Sequence, residues 1–175
     1  MNLTKYFQRI GFEATPKVDF ETLKALQNAH MRHVPFENLD IHYDTYIKID
    51  LERFYDKIVH QNRGGFCFEL NGLFNWALKE IGFEVTMLSA AVVQDDGSYG
   101  LEMGHLTNMV HLNGKRWLVD VGFGDSFPDP LEFVLGKIQV QQERWHKLSQ
   151  LSENKYQYSV SEDEGKSYKH WWNFS

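Results

Sequence analysis

Residues 63–93 read RGGFCFELNGLFNWALKEIGFEVTMLSAAVV, and inside this stretch the chain changes from helical to strand periodicity. From Cys67, apolar side chains fall at Leu70, Leu73, Phe74, Ala77, Leu78 and Ile81, the spacing of a helix with one buried face. Gly82 supplies a stop, and from Phe83 the pattern becomes that of a strand. Gly64 and Gly65 let the backbone turn tightly into the first helical turn. Unpaired N–H groups and the helix dipole favour an anion there, so a thiol at Cys67 leans toward thiolate. An ordinary helix can begin in the same way.

Toward the N-terminus the reading is helical. Leu3 to Ile10 is a short amphipathic segment ended by Gly11, and Asp19 can cap a second helix from Phe20 to Met31. Val34-Pro35-Phe36 breaks it, and a third helix is expected from about Asp50 to Gln61. Toward the C-terminus the polar turn Gln94-Asp95-Asp96-Gly97 precedes HLTNMVHL, Asn113-Gly114 and KRWLVDVGF. Asn-Gly is a strong hairpin signal, because a type I′ turn needs positive φ at both central residues. A further strand pair is expected at Lys155 to Val160 and Tyr168 to Phe174. The expected class is α+β, with a helical subdomain over residues 1–83 and an antiparallel β subdomain over 84–175.

Composition narrows the function. The chain has 175 residues, 15% of them aromatic, which argues for a packed core. No apolar run is long enough to span a bilayer, and MNLTKYFQRI lacks the apolar segment of a secretory signal. A single cysteine forms no internal disulfide, so a reducing cytoplasm is the simplest compartment. The net charge is −6 with no basic cluster, which argues against nucleic-acid binding. One Cys, with no HExxH or paired-His spacing, gives no metal site.

The Asn113-Gly114 hairpin carries the chemistry. With a two-residue loop, Leu112 pairs with Lys115, Thr107 faces Asp120 and His105 faces Gly122. His105 and Asp120 then lie on one sheet face as diagonal neighbours. A carboxylate beside an imidazole holds its tautomer and favours its protonated form. Cys67, His105 and Asp120 thus have the residue types of nucleophile, base and orienter. Each residue also has a plain structural reading: an inert buried thiol, a satisfied histidine, a strand-end carboxylate. The glycine-led helix start and the shared hairpin face bring the two readings to even odds.

The sequence resembles the arylamine N-acetyltransferases. RGGFCFELN is similar to that family's active-cysteine segment, HMRHVPFENLDIH (30–42) to its N-terminal signature, and WLVDVGFGDSFPDPLEF (117–133) to its aspartate segment. The resemblance runs from Tyr6 to about Phe133. It implies a helical bundle followed by a β-barrel around a cysteine-protease-like Cys-His-Asp core, then an α/β lid. It further implies Cys67 as acetyl acceptor, His105 as base and Asp120 as third member, with Arg63, Gly64 and Gly65 supporting the turn. Phe36, Val92 and Phe123 match positions lining an amine pocket. Acetyl-CoA would be the co-substrate, without a metal, and a small aromatic amine or hydrazine the acceptor.

Two departures from the family pattern carry expectations of their own. Family members continue into a third domain, whereas this chain stops at HWWNFS, where that domain would begin. A fragment or a short member is expected, with an exposed Trp171-Trp172 end open to self-association, weaker CoA binding and more hydrolysis. Asp125 places a carboxylate where some relatives carry a basic residue, a poor contact for an anionic cofactor. Two other functions fit the residues: a thiol hydrolase or transglutaminase-like acyltransferase, and an inactive homologue that binds a partner.

Overall fold

The computed structural model describes residues 1–43, 45–124 and 126–175. The expectation at Asp125 lies outside the described residues. Helix α1 (Leu3–Ile10) starts where the Asn2 side chain accepts the Lys5 N–H, and it stops at Gly11 in the left-handed region, φ 66°. Asp19 caps α2 (Phe20–His33) by accepting the Thr22 N–H at 2.8 Å. A single turn, α3 (Leu39–His42), precedes α4 (Leu51–Tyr55). The chain then runs into α5 (Cys67–Ile81), which ends at Gly82 with φ 109°.

The third helix differs from expectation. Only Leu51–Tyr55 is α-helical, and Asp56–His60 continues as a π-helical turn. Lys57, Ile58 and Val59 are three consecutive buried residues, which an α-helix lying on a surface does not accommodate. Arg9 stabilises the turn from α1: its guanidinium donates to the carbonyls of Ile58 (2.7 Å), His33 (2.5 Å) and Arg63 (3.0 Å). One side chain thus ties α1 to the end of α2, the π turn and the segment before Cys67.

Beyond Phe83 the described residues build an eight-stranded antiparallel sheet, ordered β4-β3-β2-β1-β8-β7-β6-β5. Its strands are β1 (Glu84–Val92), β2 (His105–Leu112), β3 (Lys115–Val119), β4 (Leu131–Glu132), β5 (Ile138–Gln141), β6 (Arg144–Ser152), β7 (Lys155–Ser161) and β8 (Lys169–Phe174). The sheet curls into a nearly closed barrel whose end strands, β4 and β5, face each other. Side-chain amides close that seam in place of a backbone ladder. Gln139 accepts from and donates to the backbone of Glu132 (2.8 and 2.9 Å), and Gln141 does the same with Asp129 (both 3.0 Å).

Two cores follow from strand alternation. Val110, Leu112 and Val119 face the helices and pack with Leu23, Leu70 and Phe74. Met109 and Leu118 point the other way, into a barrel core with Phe127, Leu148, Tyr158 and Trp172. Strand β2 is therefore covered on both faces, unlike a simple half-buried strand.

The C-terminal expectation is corrected. HWWNFS is not an exposed end; it forms most of β8, which lies inside the sheet between β1 and β7. Trp172 and Phe174 alternate into the barrel, with Trp172 fully buried. Across from β7 the pairing passes from Tyr158↔Trp172 to Ser159↔His170, so Trp171 is the extra residue of a bulge. Strands β4, β5 and β6 were not expected from the sequence.

Candidate active site

The start of α5 is set by close packing against an earlier segment. Gly65 N–H donates to the Pro35 carbonyl (3.2 Å), and Glu37 N–H donates to the Gly65 carbonyl (2.9 Å). A Cβ on Gly64 would lie 2.0 Å from that Pro35 oxygen, and one on Gly65 would lie 2.7 Å from Glu69 Oε2. Neither glycine takes a left-handed φ. The pair is therefore required for close approach, not for the tight turn expected from the sequence. Glu69 reaches back to accept the Phe66 N–H at 3.0 Å, the reciprocal half of a capping box. Cys67 follows as the first residue of the helix, where backbone N–H groups have no helical partner.

Behind this turn lies a network of charges. Lys57 Nζ meets Glu69 Oε2 (2.7 Å), Asp40 Oδ2 (2.9 Å) and Glu37 Oε1 (3.3 Å). Arg63 Nη2 meets Glu37 Oε1 (2.8 Å) and Asp40 Oδ1 (2.7 Å). Burial works to lower the Lys57 pKa, but Glu69, Asp40 and Glu37 together raise it, so the ammonium is kept.

The β2–β3 hairpin supplies the other half of the site. Its register runs from Leu112↔Lys115 to Asn108↔Val119, as the Asn113-Gly114 turn predicts, with φ 52° and 73° at the turn. The ladder stops at Val119, and Asp120 redirects the chain by accepting the N–H groups of Gly122 (2.8 Å) and Phe123 (3.1 Å) on Oδ1. Its Oδ2 meets His105 Nε2 at 2.6 Å, with both residues buried. Gly122 brings this bend onto α5: a Cβ there would lie 2.8 Å from Cys67 Cα.

Burial opposes a charged His105 ring. The charge and hydrogen bond of Asp120, together with the Cys67 side chain, outweigh it and push the His105 pKa up to about 10. Burial likewise opposes the Asp120 carboxylate, but His105, Asn71 and the Gly122 N–H hold its pKa below the ordinary value. Because Asp120 occupies Nε2, the ring's Nδ1 is left for Cys67. The Cys67 Sγ also lies 3.9 Å from the Gly104 carbonyl oxygen.

Of the residues expected at a substrate pocket, Phe123 packs edge-on against His105, with ring centroids 5.3 Å apart. The bulge places Trp171 against Phe123 at 5.5 Å, and Trp172 lies 5.6 Å from His105. Val92 lies two residues beyond Ala90, the partner of His105, so its side chain shares the barrel-facing side of β1. Phe36 pairs through its backbone with Gly65, and its ring is half exposed.

Sequence reasoning missed Asn71, fully buried one turn after Cys67. Its Nδ2 donates to Leu106 O (2.6 Å) and Asp120 Oδ1 (3.0 Å), and its Oδ1 accepts from Val121 N–H (3.0 Å). Asn75 continues the stripe by donating to Asn108 Oδ1 at 2.8 Å. The available signal was two asparagines four and eight residues after Cys67, on the same helical face. Among the described residues, no helix is long and apolar enough to cross a membrane.

Residues 19–175 match the family model described as N-acetyltransferase. Over 145 residues the chain is 43% identical to the arylamine N-acetyltransferase pineal gland isozyme NAT-10 of Gallus gallus, covering 81% of this chain and 50% of that protein. The chain thus spans about half the length of the curated relatives it matches. Its fold superposes on the Mycobacterium smegmatis arylamine N-acetyltransferase with a TM-score of 0.90 at 32% identity, covering 100% of this chain and 65% of that one. A Bacillus cereus arylamine N-acetyltransferase, described as having a Cys-His-Glu catalytic triad, superposes with a TM-score of 0.88 at 27% identity, over 99% of this chain and 69% of that one. The chain belongs to the arylamine N-acetyltransferase family.

Proposed function

We propose that Cys67, His105 and Asp120 carry an acetyl group from acetyl-CoA to an arylamine or arylhydrazine through an acetyl-cysteine intermediate. The observation that carries this reading is the buried 2.6 Å His105–Asp120 contact beside the helix-start cysteine. A raised His105 pKa favours a thiolate–imidazolium pair at neutral pH. The Cys67 thiolate attacks the thioester carbonyl. The tetrahedral adduct expels the CoA thiolate, which takes its proton from the imidazolium. In the second half the neutral amine attacks acetyl-Cys67, His105 accepts the amine proton, and the Cys67 thiolate leaves as the amide forms.

Thioester exchange is nearly isoenergetic and amide formation runs downhill, so the second half-reaction drives the first. An aromatic amine is neutral at pH 7 and needs no prior deprotonation. Phe123, Val92 and Phe36 supply apolar surface for its ring. The glutamate described for the Bacillus cereus enzyme's triad supports reading Asp120 as the third member, since either carboxylate can orient an imidazole.

The test is incubation with acetyl-CoA alone, followed by peptide mass mapping. Acetylation of Cys67, discharged by an added arylamine with formation of its N-acetyl product, is the expected result. If iodoacetamide labels Cys67 but acetyl-CoA leaves it unmodified, acetyl-CoA is not the donor and a thiol hydrolase acting on other acyl groups becomes the better reading.

A further inference from the structure

We propose that Lys57 is a positioning residue for Cys67, acting through Glu69 to set both the place and the electrostatic surroundings of the thiolate. The inference rests on the reading of Cys67 as nucleophile.

The π-helical turn Asp56–His60 turns Lys57 inward, where the whole residue retains 7% of its accessible surface. Its ammonium meets three carboxylates from two segments: Glu37 and Asp40 around the start of α3, and Glu69 in α5. The Glu69 oxygen that binds Lys57 also accepts the N–H of Phe66, the residue immediately before Cys67. A Cβ on Gly65 would lie 2.7 Å from that same oxygen, so glycine at 65 is what leaves the carboxylate its place there. A displacement of Lys57 is therefore transmitted through one atom to the first turn of α5. The π turn thus aims this side chain at Glu69, the kind of local role such turns often have.

Charge points the same way. Cys67 is faced from the sheet by His105, which Asp120 backs, while Glu69 lies at the same helix start, on the Phe66 N–H just before Cys67. Behind Glu69 lie Lys57, Arg63, Glu37 and Asp40, with Arg9 on the Arg63 carbonyl. Two cations, Lys57 and Arg63, thus face three carboxylates and leave a net charge of −1. Removing Lys57 leaves the network more negative and disfavours a nearby thiolate, whereas removing the Glu69 charge does the opposite.

The two substitutions therefore have opposite signs. Iodoacetamide labelling of Cys67 is followed against pH in the full chain, at a point on the acid limb where the wild type reacts at about a tenth of its maximum. Lys57→Met should react about three- to tenfold more slowly there, and Glu69→Gln about three- to fivefold faster. Glutamine still accepts the Phe66 N–H, so the helix start is retained. Lys57→Arg should stay within about twofold of wild type, and the double variant Lys57→Met/Glu69→Gln should return toward it. A purely structural role would slow both single variants, and that result overturns the proposal, as does Lys57→Arg reacting as slowly as Lys57→Met. If Lys57→Met does not fold, Glu69→Gln decides alone: an unchanged or slower rate overturns the proposal. Labelling needs no acetyl-CoA, so failure of the proposed donor leaves this test intact.

Discussion

At Asp120 both carboxylate oxygens are committed. Oδ1 accepts from Asn71 Nδ2, Gly122 N–H and Phe123 N–H, and Oδ2 from His105 Nε2. An asparagine at this position has only one acceptor oxygen, and three donors claim it. Its NH2 must then face His105 Nε2, which becomes an acceptor, and the ring proton moves to Nδ1, the nitrogen left for Cys67. The ring can no longer take the thiol proton. Asp120→Asn is therefore expected to fold normally while slowing acetyl transfer by about 10³- to 10⁴-fold, the scale of tautomer loss in a catalytic triad. Transfer rates and Cys67 labelling measured together test this, and a variant retaining a tenth of wild-type activity would rule out the orienting role. The pairing of His105 with Asp120 was legible in the sequence because one Asn-Gly turn fixes the register that brings them together. Asn71 was not legible, because an asparagine in a helix signals burial only once its partners on another element are known.

The same contrast appears between hairpins. Asn113-Gly114 announces its turn, but β5 and β6 join through Gln142-Glu143, which carries φ of 48° and 60° without glycine or asparagine. Strand β6 was equally silent, since only His146 and Leu148 of its nine residues are buried. Backbone conformation here is imposed by the flanking ladder and by the Gln139 and Gln141 amides, which hold β5 to the Asp129–Glu132 segment. Left-handed conformation costs an ordinary residue about 1–2 kcal/mol. Gln142→Asn combined with Glu143→Gly should therefore stabilise the protein by about 1 kcal/mol in urea denaturation, with no effect on Cys67 labelling. A loss of stability would mean that the native side chains compensate the strain through contacts of their own.

Across the whole molecule, buried histidines pull stability in opposite directions with pH. His105 is raised to about 10, so its contribution is complete below the unfolded value of 6.5 and is lost as pH rises through 10. His30, under the helices with its Nδ1 on Tyr6 Oη at 2.8 Å, is lowered by burial to about 3. His146, inside the barrel with its Nδ1 on Tyr158 Oη at 2.8 Å, is lowered by burial to about 4. For these two the unfolded chain binds a proton near pH 6.5 and the folded chain does not, so stability falls as pH drops from 6.5 toward 4. The carboxylates held low by their partners lose their contribution only in stronger acid, and Tyr6, raised by burial, matters only in stronger base. In a Cys67→Ala variant, where no thiol titrates against His105, the histidines dominate between pH 5 and 9, and stability should peak near pH 6.5. His105→Gln should remove the alkaline decline and leave the acid one, because the helical core and the barrel titrate through His30 and His146 independently of the site. Urea midpoints measured across that window test this. A Cys67→Ala profile flat from pH 6.5 to 9 would mean that the His105–Asp120 pair is not charged in the folded protein, and the thiolate proposed at Cys67 would then lack its counter-ion.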